Sequence, residues 1–309
     1  MGLTSSGARL RWRTPGQRSR RGVLARAERV NYVFLAPSLI VFGVTLLYPF
    51  VQGIVYSFRQ GSLIQLGGFV GLRNYATIFQ QDDFRNSLLF TAIFALGTIV
   101  GSYVIGLGLA LLLDAQLPAS GSLRGALLLP WIIPSVVAAQ GFRWLFNQQS
   151  GPIDGFLVAH SLPQVPFFSS ASWAVFTVVL VKVWRSIPFM MISCLAALQT
   201  IAPELGEAAA VDGAGGVSWF RYIAWPHIAP LSVVMWVMMA VFAVQDFETP
   251  FLMTQGGPGS ATTSLMVLSY QDTFVRQSVG QGTAVAIVAL VVLAVLGLIL
   301  LRTRPREFT

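Results

Sequence analysis

The chain has 309 residues, 55% of them hydrophobic and 10% charged, with a mean hydropathy of +0.69. A soluble domain carries about a quarter charged residues, so this composition excludes a water-soluble fold and makes lipid the solvent. Net charge is +8, from 19 arginines and one lysine, but the cations crowd the chain ends instead of covering a surface, which excludes nucleic acid as a partner.

The predicted elements begin with a basic tail, residues 1–30, carrying Arg9, Arg11, Arg13, Arg18, Arg20, Arg21, Arg26 and Arg29. Ser19-Arg20-Arg21 has the look of a twin-arginine export signal. The apolar run behind it is too long and too far downstream, and no small-x-small cleavage site stands out, so the run reads as an uncleaved helix. The tail is expected to lie against membrane lipid, where each arginine is worth roughly 1 kcal/mol near anionic headgroups. Six apolar runs then follow at 32–58, 88–113, 125–146, 172–198, 228–253 and 283–301, each near the ~20 residues a helix needs to cross a bilayer. Pro37 and Pro49 are expected to kink the first run, and Pro130, Pro134 and Pro188 to interrupt later ones; such breaks are tolerated where they pack on protein or line a cavity. Gly97, Gly101, Gly106 and Gly108 in the second run favour close helix packing. A final tail, 303–309, closes a membrane domain of 31–302. The expected fold class is all-α, a polytopic bundle of six transmembrane helices.

Six spans put both termini on one side. That side holds the eight tail arginines, Arg124, Arg221, Arg302, Arg304 and Arg306, against Arg59, Arg73, Arg85 and Arg276 opposite. The positive-inside rule therefore places both termini in the cytoplasm. Cys194 is the one cysteine and lies in an apolar run, so no disulfide framework or cysteine metal site is expected. His160 and His227 stand alone, without further ligands at metal spacing; no metal is expected.

The longest cytoplasmic loop, 199–226, is unlike an ordinary connection. Pro203 sits where a helix starts, and Glu204 and Glu207 lie in its first turns, where the helix dipole favours negative charge. Ala208 to Ala210 give a helix with almost no side-chain bulk, so a partner can approach its backbone. Gly213, Gly215 and Gly216 stop it and turn the chain. Phe220 and Ile223 are spaced to anchor a second short helix before Pro226 returns the chain to the membrane.

This loop, Glu207-Ala208-Ala209, Asp212-Gly213-Ala214, Phe220, Ile223, Pro226 and Pro230, resembles the EAA loop of ABC importer permeases, with Trp225 standing where that family usually has Leu. Further segments resemble the sugar-permease branch for maltose, trehalose and glycerol phosphate, in its first-permease version. They are Phe34-Leu35-Ala36-Pro37, Tyr48-Pro49, Phe69 to Tyr75, Leu129-Pro130-Trp131-Ile132-Ile133-Pro134, Trp144 to Asn147, Gly151 to Asp154, Trp184 to Phe189, and Thr254-Gln255-Gly256-Gly257-Pro258. The resemblance implies a type I permease of an inner-membrane, binding-protein-dependent importer. Its implied partners are a second, unlike permease, two cytoplasmic ATPases and an external solute-binding protein. The loop then acts as a coupling helix docked on an ATPase, and Ala209→Arg is expected to uncouple it. ATP and Mg belong to that ATPase: this chain has no GxxxxGK[ST] and binds no cofactor.

Ionisable residues at membrane depth are functional suspects. Lys182 and Arg185 share a helical face beside Trp184, and Asp246 and Glu248 lie near the outer end of span five; one of these cations is expected to pair with one of these acids or to face a wet cavity. Sugars are held by planar polar groups and aromatic faces, for which Asn147, Gln148, Gln149, Gln245, Trp144 and Trp184 are suitable. Three other readings compete. An importer for polyamine, phosphate or metal chelate lacks support from the segments outside the loop. A membrane enzyme needs convergent His, Asp or Glu pairs, and a secondary transporter needs an inverted repeat.

Overall fold

A computed structural model of the protein describes residues 35–115 and 120–303. The expected basic tail 1–30 and residues 304–309 lie outside the described residues. The chain divides into two units after Gly53.

The first unit contributes most of helix α1 (Leu35–Ser57). Its π-helical turn, Gly43–Leu47, ends with Tyr48 N–H donating to Gly43 O, immediately before Pro49. A proline has no N–H for the carbonyl four residues back and crowds that carbonyl. Widening the preceding turn by one residue shifts the hydrogen-bond ladder without ending the helix.

In the second unit, residues 59–69, read from sequence as loop, form a small antiparallel hairpin. Its strands are β1 (Arg59–Gly61) and β2 (Leu66–Phe69), with Arg59 opposite Phe69. Gly61, at φ +119°, makes the tight exit. Helix α2 (Arg73–Gln80) follows, tied back by Asn74, whose Nδ2 donates to Ser57 O and Arg59 O, each at 2.8 Å.

The bundle is organised on α3 (Asp82–Asp114), which at ~1.5 Å per residue is about 50 Å long and exceeds the ~30 Å hydrocarbon core. Leu89, Ile93, Leu96, Val100 and Val104 recur at helical spacing and are exposed, forming an outward apolar stripe. The opposite face packs on α8 (Ala171–Leu198). There a Cβ on Gly97 or Gly101 would come within 2.8 Å of Val179 or Val183, and one on Gly106 within 2.7 Å of Met190 Cβ and 2.9 Å of Met191 N. Gly108 faces open space and takes no part in this packing. Gly106→Val is therefore expected to cost about 3 kcal/mol or more by overpacking and to lower the thermal midpoint of the purified protein, whereas Gly108→Ala leaves it in place.

Helices α4 (Ser120–Leu127), α5 (Leu129–Ile132) and α6 (Ser135–Leu145) form the predicted third span. The span is not straight: its two halves meet at 90°. Ile133 and Pro134 are extended, with ψ of 127° and 137°; Ile133 is so because a residue before proline is sterically pushed out of the helical region. The described residues thus hold five long apolar helices, or six spans if the bent pair is one. After α7 (Pro152–Ala159), α8 runs through Pro188 without the interruption expected there. Buried neighbours on both sides, Val183, Ser186, Met190 and Met191, hold it together against the ~3 kcal/mol a mid-helix proline costs.

Helix α9 (Pro203–Val211) precedes α10, which runs from Gly216 to Val244 as one span. The second short helix expected around Phe220 and Ile223 is instead the first part of α10. A π turn at Phe220–Ala224, closed by Trp225 N–H on Phe220 O, admits Pro226 as the turn in α1 admits Pro49. Span five ends nine residues earlier than its apolar run, because Gln245 to Phe247 break the helix before α11 (Glu248–Thr254). Helix α12 (Leu265–Tyr270) and α13 (Val279–Thr303) complete the chain.

Three apolar clusters follow α3 from end to end. Phe84 meets Leu265, Leu268 and Val285; Phe90 and Phe94 meet Val178, Val181 and Val244; Tyr103 and Leu113 meet Met190, Leu198 and Ile228.

Candidate functional site

The loop 199–226 is built as a rigid elbow. Pro203 opens α9 behind an extended Ala202, and Glu204 lies in the first turn. At the other end Gly213, at φ +73°, donates to Ala210 O at 3.2 Å, and Ala214 N–H donates to Ala209 O at 2.8 Å. This paired closure satisfies the last carbonyls and requires the left-handed residue that glycine supplies. The indole of Trp219 lies over Gly206, its Nε1 3.9 Å from the position of a Cβ there. Trp219, Phe220, Trp225 and Ile201 pack on the Tyr103–Ile228 cluster, fixing the elbow to the ends of α3 and α8.

Exposure sorts the predicted coupling residues. Glu207, Ala208, Asp212, Gly213 and Pro226 are exposed, Ala214, Phe220 and Ile223 half-buried, and Ala209 is buried at 6%. Ala209 therefore faces the elbow's own interior, and Ala209→Arg would disrupt the loop before it reached a partner. Val211 and Val217, 88% and 84% exposed, join the outward face. They went unnoticed in the sequence because they flank the glycines rather than falling in the alanine run.

The second site is a cavity of about 600 Å³ between α8, α10, α11 and the kink of the third span. Lys182 Nζ pairs with Asp246 Oδ2 at 2.6 Å, across from α8 to the break after α10. Asp246 also accepts from Thr249 N–H at 2.9 Å and Thr249 Oγ1 at 2.7 Å, serving as a helix cap for α11. Arg185, Gln245 and Glu248 line the same cavity, and Glu248 accepts a hydrogen bond from Ser135 Oγ at the kink. Trp131, Phe189, Phe242 and Phe247 supply aromatic walls. Sequence spacing contained part of this: 182, 185 and 189 share one face of α8, and 239 and 242 one face of α10, with 246 just beyond its end. Trp131 and Ser135 come from the two sides of a bend whose angle the sequence does not state.

Five of the residues suited to sugar, Trp144, Asn147, Gln148, Gln149 and Trp184, do not line this cavity. Trp184 turns away from the cavity and meets Phe142 edge-on at 4.9 Å. Asn147 is a loop cap, its Oδ1 accepting from Gln149 N–H, Ser150 N–H and Ser150 Oγ. Gln148 accepts from Ser169, and Trp144 is exposed. At the far end of α3, Arg276 bridges Asp272 at 2.8 Å and Asp83 at 2.7 Å. Burial pushes the Asp272 carboxyl above the usual carboxylate range, with Arg276 opposing it.

A multi-helix membrane bundle with a bent third span and a glycine-closed loop before the fifth has the fold of type I ABC importer permeases. It is similar, with a TM-score of 0.79 at 22% identity, to a chain of a bacterial ABC transporter involved in the import of the acidic polysaccharide alginate, over 93% of this chain and 100% of that one. Residues 102–304 match the family of binding-protein-dependent transport system inner membrane components, and the chain belongs to that family. It is 34% identical over 258 residues to the sulfoquinovosyl glycerol transport system permease protein of Agrobacterium fabrum, covering 83% of this chain and 84% of that protein. It is 30% identical over 267 residues to the trehalose/maltose transport system permease protein of Thermococcus litoralis, covering 86% and 90%.

Proposed function

We propose that the chain is one of two unlike permeases of an inner-membrane ABC importer for a sugar or sugar-like solute: a disaccharide, oligosaccharide, polyol or glycerol phosphate. The names of the two relatives reported above support the solute class, and the sugar-branch segments outside the loop favour it over polyamine, phosphate or metal chelate. Both termini face the cytoplasm. A solute-binding protein delivers from outside, and two separate ATPases burn ATP with Mg on the cytoplasmic side.

The observation that carries this reading is the continuity of α10. It starts at the elbow and ends beside Gln245 and Asp246 in the cavity, a rod of 29 residues or about 43 Å. The exposed face of Glu207, Ala208, Val211, Asp212 and Gly213 sits in a cleft of the ATPase. When ATP closes the ATPase dimer, the elbow moves as a body, because Trp219 and Phe220 lock it to the bundle. Helix α10 carries that displacement to the Lys182–Asp246 contact and opens the cavity outward; hydrolysis resets it. Coupling requires that the docked elbow make different contacts in the two states, since equal affinity for both shifts nothing.

Proteoliposomes holding the complete importer test this reading. ATP inside and solute-loaded binding protein outside are expected to drive uptake of a labelled sugar or polyol. Uptake of a polyamine, phosphate or metal chelate, with none of any sugar, would overturn it.

A further inference from the structure

The cavity walls carry two cations and two acids, and they are not used alike. Lys182 and Asp246 neutralise each other at 2.6 Å. Glu248 is seated on Ser135. Arg185 lies one turn along α8 from Lys182 and lines the cavity with no ion-pair partner among the described residues, and its buried Nε has no hydrogen-bond partner. A guanidinium presents five N–H donors, accepts nothing, and stays protonated in proteins. At membrane depth an uncompensated cation is costly and marks a ligand or ion path. Its natural complement is a planar or tetrahedral oxyanion, gripped by two parallel hydrogen bonds.

We infer that the cavity is selective for a sugar bearing an acidic group, a carboxylate, sulfonate or phosphate ester, and that Arg185 is the residue that selects it; this rests on the sugar-importer reading above. Gln245 and Glu248 take sugar hydroxyls, Gln245 donating and accepting and Glu248 accepting. Phe189, Phe242 and Trp131 provide the faces against which the ring's C–H groups lie. The volume of about 600 Å³ falls within the ~300–1,000 Å³ range of small-molecule sites. Glu248 keeps its charge on the neutral Ser135 hydroxyl, so the wall sums to zero, and with Lys182 paired to Asp246 the guanidinium of Arg185 is the one wall cation left for an acidic group on the solute.

The test compares maltose with maltose 6′-phosphate, and glycerol with glycerol 3-phosphate, as ligands of the complete importer in nanodiscs without binding protein. Affinities are measured for the natural chain, Arg185→Gln and Arg185→Lys. The acidic member of each pair is expected to bind more tightly to the natural importer. Arg185→Gln is expected to lower the acid-over-neutral preference by roughly 10- to 100-fold, the worth of a hydrogen bond to a charged group. Arg185→Lys keeps the charge but not the fork, retains part of the preference, and supplies the answer if the glutamine variant does not assemble. A neutral member bound as well as its acidic partner, or a preference unchanged in both variants, would overturn the inference while leaving the sugar importer standing. No binding by any of the four probes, with uptake of a non-sugar solute, would overturn both.

Discussion

Ala208→Arg is expected to abolish the ATP hydrolysis that solute-loaded binding protein stimulates in the assembled importer. Ala208 is exposed on the outer face of α9, between Glu207 and the buried Ala209. The absence of side-chain bulk there is what admits a partner surface to the helix backbone. A long charged side chain would hold the two surfaces apart and strand its own charge in the contact. Losses at the centre of an interface run to about 2–4 kcal/mol, which is roughly 30- to 1,000-fold in affinity. The elbow itself should survive, because the side chain points away from Trp219 and the glycine closure. An unchanged thermal midpoint with lost stimulation is the predicted pair of results; full stimulation would show that α9 does not dock. Ala209→Arg makes a useful contrast. Its side chain enters the packed interior, so that variant should lose both fold and stimulation.

The second large effect is expected at the cavity. Lys182→Met leaves Asp246, 9% exposed, facing an apolar side chain. Removing one partner of a buried pair costs about 3–5 kcal/mol, because the other charge is left uncompensated. The loss should appear as a lower yield of folded importer and a lower midpoint. Removing both charges in Lys182→Met/Asp246→Leu should recover most of it, short of ~1 kcal/mol for the cap on Thr249. A double variant as unstable as the two single losses added together would mean that the residues act independently, and the pair would then be no link between α8 and the end of α10.

Much of the bundle is legible in the residues, because lipid imposes a simple rule of apolar runs near 20 residues. The elbow is legible too: Pro203, the alanines and Gly213 fall where helix ends need them. Prolines were only partly legible. Pro134 bends its span by 90°, while Pro188 and Pro226 pass inside continuous helices. The difference lies in the surroundings, since packing on α3 holds α8 together and a π turn rephases α10. No periodicity in the sequence reports either compensation. At the cavity, the pairing of a lysine in span four with an acid at the end of span five follows from charge at membrane depth. Asn147 and Trp184 were suitable in type but differently used: Asn147 caps its own loop, and Trp184 lies on the other side of α8.

Coupling requires that α9 face the cytoplasm against an ATPase. Val211, 88% exposed at the end of α9, offers a clean probe, since Cys194 is the chain's one cysteine and is buried. A membrane-impermeant maleimide should label Val211→Cys in inverted vesicles stripped of ATPase subunits, and rebinding those subunits should protect it. Labelling from the outside of intact cells, or undiminished labelling with the ATPases bound, would show that α9 does not dock on an ATPase in the cytoplasm.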